Sequence, residues 1–531
     1  MGKYRQELQR YKWIYIAFGC VIILSAVLRL WGLGNTPFVA DEFLDINASY
    51  GYHKTGQWQA WDFNHDDISV RDNKASDERA WLYRWQVAKV LDYIAPTEFN
   101  ARLVSALWGI LTTVIIFFVT FSFTKNRWIA LLAAFFWAVS IPAIELNRKV
   151  RMYSMFVPIF LLFSWSLFQF IDSRARNTFD VVKNILNLHW IYLVPTIIFG
   201  AIAYHLHPLT GNAIFALFLY LVVMLIFEQR RNYGKHATAD SRGYGGILRY
   251  GIYAIVLLVG ALGVYFFVPN VWKQFATSLV FFDNHWSYIG HVLGGYWHPL
   301  LGLLFIFVGA WYLTTQKKDE RPGVWITTTF FAILLAAIFL WKRNVGAQYI
   351  FFVQPFGFML VAGGVYYLAQ LMARRIGEKR AFAIVIILSI ALLPSYLYFF
   401  QKDNTYHITS KADTANYRNV FLYVKKHAQP TDAMITRNFR SYYYGGLDIP
   451  ILDFGSERSE EELKEEGKVK KITVADVERF AHAYPVVWIV YSDNDEKFIT
   501  KEARAYFAQN CEKINDLLVR GKVSVYKCEN M

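Results

Sequence analysis

Charged side chains gather near the ends of long apolar runs in this chain. Two adjacent carboxylates, Asp41 and Glu42, follow the first run by a few residues. Later runs are followed by cations, namely Arg148, Arg151, Lys342 and Arg343. A carboxylate can take a proton from an incoming nucleophile, and cations bind and neutralise phosphate. Because charge at a membrane boundary is costly, this pattern predicts a reaction on a phosphate-bearing lipid.

The same charged residues also have structural interpretations. Asp41 and Glu42 can form a solvated turn between two elements, with no part in chemistry. Arg148 and Arg151 can anchor the chain by contacting headgroups of the outer lipid leaflet. These alternatives remain open from the sequence.

Two histidines are candidate metal ligands. His205 and His207 lie in the run His205-Leu206-His207-Pro208. Hydrogen-bonded positions at the end of an apolar run are the favoured alternative for both. The aromatic residues of 269–298 fit an interface belt or a wall against which a sugar stacks.

Composition defines the elements that must position these residues. The 531 residues are 55% hydrophobic and 18% aromatic, which excludes a disordered chain, a fibrous repeat and a disulfide-stapled miniprotein. Eleven apolar runs approach the length of about 20 residues that a bilayer requires. They are 13–33, 102–123, 128–144, 155–171, 189–207, 210–227, 250–268, 299–315, 324–341, 351–372 and 381–400. The sequence therefore predicts a polytopic α-helical membrane protein.

The basic residues predict the orientation of these spans. All of the net charge of +14 lies in residues 1–400, and residues 401–531 carry 20 basic and 20 acidic residues. With the N-terminus in the cytoplasm, the inner segments carry 21 Lys and Arg residues and the short outer loops carry six. The positive-inside rule favours this orientation, and the odd number of spans then leaves the tail extracytoplasmic.

Two outer pieces remain beside the spans. The loop 34–101 is longer than a connection requires and has helical stretches near 43–54 and 78–94. The second stretch mixes charges with Trp and Tyr, which predicts a helix lying in the membrane interface. The domain division is thus a transmembrane domain 1–400, which includes this loop, and a soluble domain 401–531.

The tail reads as a small α/β domain. Helices are predicted near 411–428, 473–483 and 499–509, and strands at 433–436, 449–454, 486–491 and 523–526. Cys511 and Cys528 lie 17 residues apart, and an oxidising compartment permits a disulfide between them, although two free thiols fit as well. The third cysteine, Cys20, is expected to be a small core residue of the first span.

Four segments carry a resemblance to a known family. They are 37–42 (PFVADE), 78–85 (ERAWLYRW), 101–109 (ARLVSALWG) and 151–155 (RMYSM), with 348–355 (QYIFFVQP) as a weaker fifth. The chain resembles the lipid-linked sugar transferases of the GT-C class. Within that class it is similar to the protein O-mannosyltransferase and lipid A aminoarabinose transferase relatives, glycosyltransferase families 39 and 83.

This resemblance implies a fold, a substrate class and roles for residues. The donor would be a sugar on a polyprenyl or dolichyl phosphate, and the transfer would invert the sugar in a single displacement. Asp41 would be the general base, and Glu42 would orient Asp41 or the sugar. Donor phosphate binding would fall to Glu78, Arg79, Arg148, Arg151 and Tyr153, with Lys342 or Arg343 substituting where the family's Arg-Tyr is Gln348-Tyr349.

Cofactor and partners follow from the same resemblance. Some relatives hold a metal ion beside a position like Glu78, so a divalent metal is possible, with His205, His207 or His285 assisting. The expected partners are the lipid-linked sugar donor, the membrane and an acceptor that is protein, lipid or glycan, and not nucleic acid. Protein mannosylation and lipid A modification are both compatible with this family resemblance.

Two other functions remain as alternatives. One is an oligosaccharyltransferase-like enzyme that uses a lipid-diphosphate donor, although 401–531 lacks that family's Trp-Trp-Asp motif. The other is a non-enzymatic transporter of lipid phosphate. A transporter tends to have two related halves and charges at the bilayer midplane, whereas the charges here cluster at one face.

Overall fold

A computed structural model describes most of the chain. The described residues are 2–39, 41–63, 66–68, 80–172, 188–233, 244–270, 272–273, 285–294, 298–316, 319–342, 346–393, 396–401, 403–407, 416–436, 443–444, 446, 449–453, 471–492, 496, 498–516, 518–519 and 522–529. They form two compact units. We call Met1–Arg29, Ala106–Asn147 and Met152–Tyr396 the helical unit, and Leu30–Ser105, Arg148–Arg151 and Leu397–Met531 the mixed unit. The division at residue 400 made from the sequence stays a prediction.

Helices dominate the described residues. In chain order they are α1 (Gly2–Leu30), α2 (Glu42–Thr55), α3 (Trp81–Leu91), α4 (Glu98–Thr124), α5 (Arg127–Val139), α6 (Ile141–Asn147), α7 (Tyr153–Asp172), α8 (Leu193–Leu206), α9 (Ala213–Tyr233), α10 (Tyr244–Phe267), α11 (Ser287–Leu293), α12 (Pro299–Thr314), α13 (Arg321–Phe339), α14 (Ala347–Ile350), α15 (Gln354–Ile376), α16 (Glu378–Ala391), α17 (Tyr417–His427), α18 (Val474–Ala481) and α19 (Lys501–Asn510). Short 3-10 turns at Trp190–Tyr192, Pro208–Asn212, Phe351–Val353 and Tyr396–Phe400 extend or join some of them.

The long helices confirm a polytopic membrane protein. Seven stretches are long and apolar enough to cross a bilayer: Tyr11–Leu30, Glu98–Thr124, Tyr153–Asp172, Pro208–Arg230, Ile247–Phe267, Arg321–Phe339 and Ala347–Ile376. The bent pair α5 and α6 gives an eighth, and the apolar helices Trp190–Leu206 and Pro299–Thr314 are shorter. Together with α16, these helices coincide with all eleven runs predicted from hydropathy.

A bend separates α5 from α6. The two helices meet at 60°, and Ser140 between them has an extended backbone with φ −63° and ψ 118°. Pro142 is the second residue of α6. A proline lacks a backbone N–H and sets its own φ, so it fits the first turn of a new helix and disfavours continuation of the previous one. The bend therefore follows from the sequence Ser140-Ile141-Pro142.

Close backbone contact joins α12 and α15 in the helical unit. A Cβ atom added to Gly309 would lie 1.7 Å from the carbonyl oxygen of Leu360, and one added to Gly364 would lie 2.5 Å from that of Phe305. Small residues allow such approach in membranes, where packing replaces the hydrophobic effect as the driving force. Cys20, by contrast, is exposed on α1, so its predicted core position is wrong. An apolar side chain on a membrane helix can face lipid instead of protein.

The mixed unit contains a five-stranded sheet. The five strands are β3 (Ala433–Thr436), β4 (Ile451–Asp453), β5 (Val486–Ser492), β6 (Glu512–Lys513) and β7 (Val523–Glu529). The strands β1 (Trp61–Asp62) and β2 (Asp67–Ile68) form a separate antiparallel pair. The sheet order is β4-β3-β5-β7-β6. β3 runs parallel to β4 and β5, and β7 runs antiparallel to β5 and β6. The predicted α/β tail is confirmed.

A disulfide links the residue after α19 to strand β7 of this sheet. Cys511, which follows α19, is bonded to Cys528 of β7, so the disulfide alternative is confirmed. The core beside it consists of residues from both sheet and helices, including Ile435, Val477, Ile489 and Phe507. The disulfide therefore ties α19 to the strand against which its apolar face packs.

The loop 34–101 supplies α2 and α3 to the mixed unit. Tyr83, Arg84 and Val87 of α3 are fully buried, whereas Trp81 and Trp85 are exposed on the opposite face. This division fits the predicted interfacial helix, although its position in the membrane stays a prediction. Glu78 and Arg79 lie outside the described residues.

Candidate active site

Three carboxylates lie at the start of α2 in the mixed unit. Asp41 is the N-cap residue, Glu42 is the first residue of the helix, and Asp45 lies one turn further. Acidic residues at a helix N-terminus interact favourably with the helix dipole. Their side chains differ sharply in burial, since Asp41 is 59% exposed, Glu42 is 1% exposed and Asp45 is 4% exposed.

Glu42 is saturated by hydrogen bonds. Both of its carboxylate oxygens accept from Arg102 of α4, Oε1 from Nε and Oε2 from Nη2, each at 2.9 Å. The backbone N–H of Val150 donates to Oε1 at 2.9 Å, and that of Val39 donates to Oε2 at 3.0 Å. This bidentate pair joins three separate chain segments in a buried position. The arrangement suits a carboxylate that holds the site together.

Asp45 connects two further arginines. Arg84 of α3 donates from Nε to Oδ1 at 2.8 Å, and Arg151 donates from Nη1 to Oδ2 at 2.8 Å. Arg84 is fully buried and Arg151 is 10% exposed. Buried ions of this kind are stable only as partners with good hydrogen-bonding geometry. Asp45 therefore determines where the guanidinium of Arg151 lies.

Asp41 is the accessible carboxylate of the three. Its Oδ2 lies 3.2 Å from Nη2 of Arg151, and Nη1 of Arg151 also lies 3.5 Å from its carbonyl oxygen. Arg151 thus bridges Asp41 and Asp45. An exposed carboxylate beside a fixed guanidinium is placed where it can accept a proton from a bound nucleophile.

Arg148 has a different environment from Arg151. It donates from Nη1 to the carbonyl of Trp31 at 2.7 Å, from Nη2 to that of Gly32 at 2.8 Å, and from Nε to that of Thr405 at 3.3 Å. Its guanidinium also lies 4.2 Å from the ring centre of Tyr406. Burial lowers the pKa of Arg148 to about 10, so it remains charged at neutral pH. These donors reach backbone carbonyl groups, and the expected binding of the donor phosphate by Arg148 stays a prediction.

The sequence missed Asp45, Arg84 and Arg102 as members of this cluster. Arg84 and Arg102 lie in segments that carry the family resemblance, where neither was given a role of its own. Each of the three is a charged residue among apolar neighbours in the chain, and that signal is available from the sequence. The pairing between them is long-range and local patterns do not contain it.

Tyr83 supports the position of Arg151 from a neighbouring element. Its hydroxyl lies 2.6 Å from Oγ of Ser105. The Ser105 hydroxyl in turn lies 3.5 Å from both the backbone nitrogen and the carbonyl oxygen of Arg151. Burial raises the pKa of Tyr83 above its ordinary value, so its hydroxyl stays protonated.

The other predicted site residues lie in the helical unit or outside the described residues. Tyr153 is buried, with its ring centre 5.4 Å from that of His207 and 6.3 Å from that of Tyr349. Lys342 is exposed, and Arg343 is not among the described residues.

The structure separates the three candidate metal-ligating histidines by environment. His207 is buried and its Nδ1 accepts from the backbone N–H of Leu209 at 3.1 Å, as the hydrogen-bonding alternative requires. His205 is exposed, and His285 donates its backbone N–H to the carbonyl of Ile338. Within the part of the chain that is described, no three His, Cys, Asp or Glu residues are grouped to hold a metal ion.

Known proteins resemble this chain in fold and not in sequence. The chain matches no protein-family model, and no curated protein matches its sequence. ArnT from Cupriavidus metallidurans bound to undecaprenyl phosphate is 13% identical, with 97% of this chain and 98% of that chain covered and a TM-score of 0.54. The archaeal oligosaccharyltransferase AglB from Archaeoglobus fulgidus, in complex with an inhibitory peptide and a dolichol-phosphate, is 10% identical, with 92% and 70% covered and a TM-score of 0.55. The chain has the fold of these GT-C membrane glycosyltransferases.

Proposed function

We propose that this protein is an integral-membrane inverting glycosyltransferase. It transfers a sugar from a polyprenyl- or dolichyl-phosphate donor to an acceptor on the extracytoplasmic face. The observation that carries the proposal is the exposed carboxylate of Asp41, held 3.2 Å from an Arg151 that buried Asp45 fixes in turn. The shared fold with ArnT and AglB supports the same class of reaction.

Asp41 acts as the general base in this proposal. The acceptor hydroxyl gives its proton to the Asp41 carboxylate while its oxygen forms a bond to the anomeric carbon. The bond between that carbon and the phosphate oxygen breaks, and the lipid phosphate leaves with the electron pair. The single displacement inverts the anomeric carbon. A phosphate whose charge is offset is a good leaving group, so no strong general acid is needed.

Glu42 takes a supporting role. Its two oxygens carry four hydrogen bonds and its side chain is 1% exposed. We therefore assign Glu42 as a positioning residue, which agrees with the orienting role that the family resemblance implies. It fixes the entry to α2 and with it the N-cap residue Asp41.

The balance of carboxylates and guanidiniums around Asp41 affects which residues can offset the charge of the donor phosphate. In the mixed unit, three carboxylates (Asp41, Glu42, Asp45) face three guanidiniums (Arg84, Arg102, Arg151). The cations that offset the phosphate are therefore proposed elsewhere. Arg79, Arg148, Lys342 and Arg343 remain the candidates from the sequence, with Tyr153 as a hydroxyl donor and Glu78 beside Arg79.

The orientation belongs to the same proposal. The distribution of Lys and Arg favours a cytoplasmic N-terminus and an extracytoplasmic position for residues 401–531. The disulfide between Cys511 and Cys528 supports this orientation, because disulfides persist in oxidising compartments.

Replacement of Asp41 by Asn tests the proposal directly. Membranes containing the protein would receive polyprenyl-phosphate mannose or polyprenyl-phosphate aminoarabinose, and released polyprenyl phosphate and transferred sugar would be measured. Because a general base contributes about 10²- to 10⁴-fold, Asp41→Asn should reduce transfer by at least about 100-fold at unchanged protein abundance. Asp67→Asn, an exposed aspartate of the same loop, is the matched control and should keep full activity. Full activity of Asp41→Asn would refute the assignment.

The choice between the two donors separates hexosyl from pentosyl transfer. ArnT is covered over 98% of its length and AglB over 70%, which favours a monosaccharide on a lipid monophosphate as the first donor to test. Both protein mannosylation and lipid A modification remain open as products.

The likeness to AglB keeps an oligosaccharyltransferase-like reaction as the second candidate. Transfer from a lipid-diphosphate oligosaccharide to a peptide, in the absence of transfer from either monophosphate donor, would favour it. Movement of lipid phosphate across reconstituted vesicles without new glycosidic bonds would instead favour a transporter.

A further inference from the structure

The chain segment leading into Asp41 is held by its backbone carbonyl groups. We call residues 31–37 the carbonyl segment, because all seven of its carbonyl oxygens accept hydrogen bonds from arginines. Arg148 donates to Trp31 and Gly32, Arg102 donates to Leu33, Thr36 and Pro37, and Arg418 donates to Gly34 and Asn35. Guanidinium groups donate in a fixed fork, so three of them hold the backbone in one path.

These three arginines come from distant parts of the sequence. Arg102 lies in the first turns of α4, Arg148 follows α6, and Arg418 is the second residue of α17 in the tail. Arg418 donates to Asn35 at 2.6 Å and to Gly34 at 3.1 Å. It also forms an ion pair with Glu98 at 3.2 Å. The tail therefore provides one of the three arginines, Arg418.

A second tail residue binds the next part of the same segment. The hydroxyl of Tyr444 accepts from the backbone N–H of Phe38 at 2.8 Å and donates to Oε1 of Glu98 at 2.8 Å. The ring of Tyr443 also packs edge-on against Phe38, with ring centres 4.7 Å apart. Because Glu98 bonds to both Arg418 and Tyr444, the two tail residues and the first turn of α4 act as one anchor.

We infer that Arg418 and Tyr444 are positioning residues for Asp41, an inference that rests on the function proposed above. Phe38 lies three residues before Asp41, and the N–H of Val39 is bonded to Glu42. The tail thus holds the backbone that leads to Asp41, at Gly34, Asn35 and Phe38. It thereby sets the position of the Asp41 carboxylate without touching substrate. In this inference the C-terminal domain contributes directly to the geometry of the catalytic site.

The inference predicts a separation between turnover and donor binding. Arg418→Gln removes the donors to Gly34 and Asn35 and should lower kcat by about 10- to 100-fold, since a misplacement of about 1 Å costs that much. KM for the donor should change by less than about twofold. Arg418→Lys keeps the charge without the fork and should give an intermediate kcat. Arg479→Gln, an exposed arginine of the same domain paired with Asp476, is the control.

Hydrogen exchange of the full-length protein in detergent provides a second readout that needs no substrate. Tyr444→Phe removes the acceptor for the Phe38 amide, so exchange in a peptide covering 31–39 should become faster. Arg418→Gln should do the same. The peptide covering β5, which lies in the tail core, should keep its exchange rate in both variants.

The outcomes separate this inference from the proposed function. Normal kcat in both variants, or a loss of kcat without faster exchange in 31–39, would overturn the positioning role alone. Faster exchange in β5 as well would mean that the residues hold the tail together, and would also overturn it. Wild-type protein that is inactive with both lipid-phosphate donors would refute the proposed function itself.

Discussion

Asp41 and Glu42 are adjacent in the chain and differ in nearly every physical respect. Glu42 is buried, bidentate with Arg102 and bonded to two backbone N–H groups, whereas more than half of the Asp41 side chain is exposed. A buried carboxylate with all of its lone pairs used cannot easily take up a proton from substrate. Glu42 therefore suits a positioning role, and Asp41 suits the proposed role of general base.

Glu42→Gln should destabilise the protein. The substitution keeps the size of the side chain and removes the charge that compensates Arg102, which is itself 2% exposed. Breaking one partner of a buried ion pair costs about 3–5 kcal/mol. We expect a clear fall in the midpoint of thermal unfolding of the purified protein in detergent.

Asp41→Asn is the reference for that measurement. Its carboxylate is exposed and its ion pair lies at the surface, where such pairs contribute about 0–1 kcal/mol. Its unfolding midpoint should stay close to that of the wild type while its activity is lost. Equal midpoints for Glu42→Gln and the wild type would contradict the supporting role of Glu42.

At the scale of elements, a buried charge cluster joins four helices of the helical unit. Asp172, the last residue of α7, accepts from Arg249 of α10 at 3.0 Å and from Arg321 of α13 at 2.6 Å. Tyr250 donates to it at 2.7 Å, and Tyr220 of α9 donates to the same oxygen. The C-terminal end of α7 therefore lies beside the N-terminal parts of α10 and α13.

Asp172→Asn should loosen this junction. The substitution removes the carboxylate that Arg249 and Arg321 share and leaves Arg321 with Asp319 alone, at a cost of the order of 3–5 kcal/mol for a buried pair. The unfolding midpoint in detergent should fall, while KM for the donor at temperatures below unfolding should not change. Asp319→Asn is the matched control, because Arg321 keeps Asp172 as a partner. A midpoint for Asp172→Asn equal to that of Asp319→Asn would contradict the prediction.

Elements differ in how far the sequence predicts them. The spans follow from apolar runs, because a helix inside lipid must satisfy its own backbone and expose apolar side chains. The bend at Ser140 was not predicted, although Pro142 signals it. Strand β6 was missed because it has two residues and depends on pairing with β7.

The candidate site shows the same limit at longer range. Asp41 was recognised because an acidic residue so close to the end of a span needs a reason. The ion pairs of Asp45 with Arg84 and Arg151 were not recognised, because α2, α3 and the short connection between α6 and α7 bring these residues together. Local periodicity carries no information on which arginine meets which carboxylate.

At the scale of the whole molecule, contacts group the chain differently from its sequence order. The loop 34–101 and the four residues Arg148–Arg151 belong with residues 397–531 in the mixed unit. Arg148 contacts Thr405, and Arg418 contacts Glu98. The charged site and the tail are therefore built as one body. The proposed orientation requires that this whole unit lie on the extracytoplasmic side.

The orientation of the chain can be tested with single cysteines. Replacing Cys20 by Ser leaves Cys511 and Cys528, which are bonded to each other. In that background, Leu422→Cys introduces a thiol at an exposed position of α17 in the tail. Thr315→Cys introduces one at the exposed end of α12, in a segment that the Lys and Arg count places inside.

A membrane-impermeant maleimide added to intact cells should label the Leu422→Cys protein and leave the Thr315→Cys protein unlabelled. Detergent permeabilisation should then make the Thr315→Cys thiol reactive, which shows that its lack of labelling came from the membrane. Because the proposed reaction uses a donor at the outer face, Asp41 and the tail must be on the labelled side. Labelling of the Thr315→Cys protein alone in intact cells would invert the topology and remove the extracytoplasmic reaction from consideration.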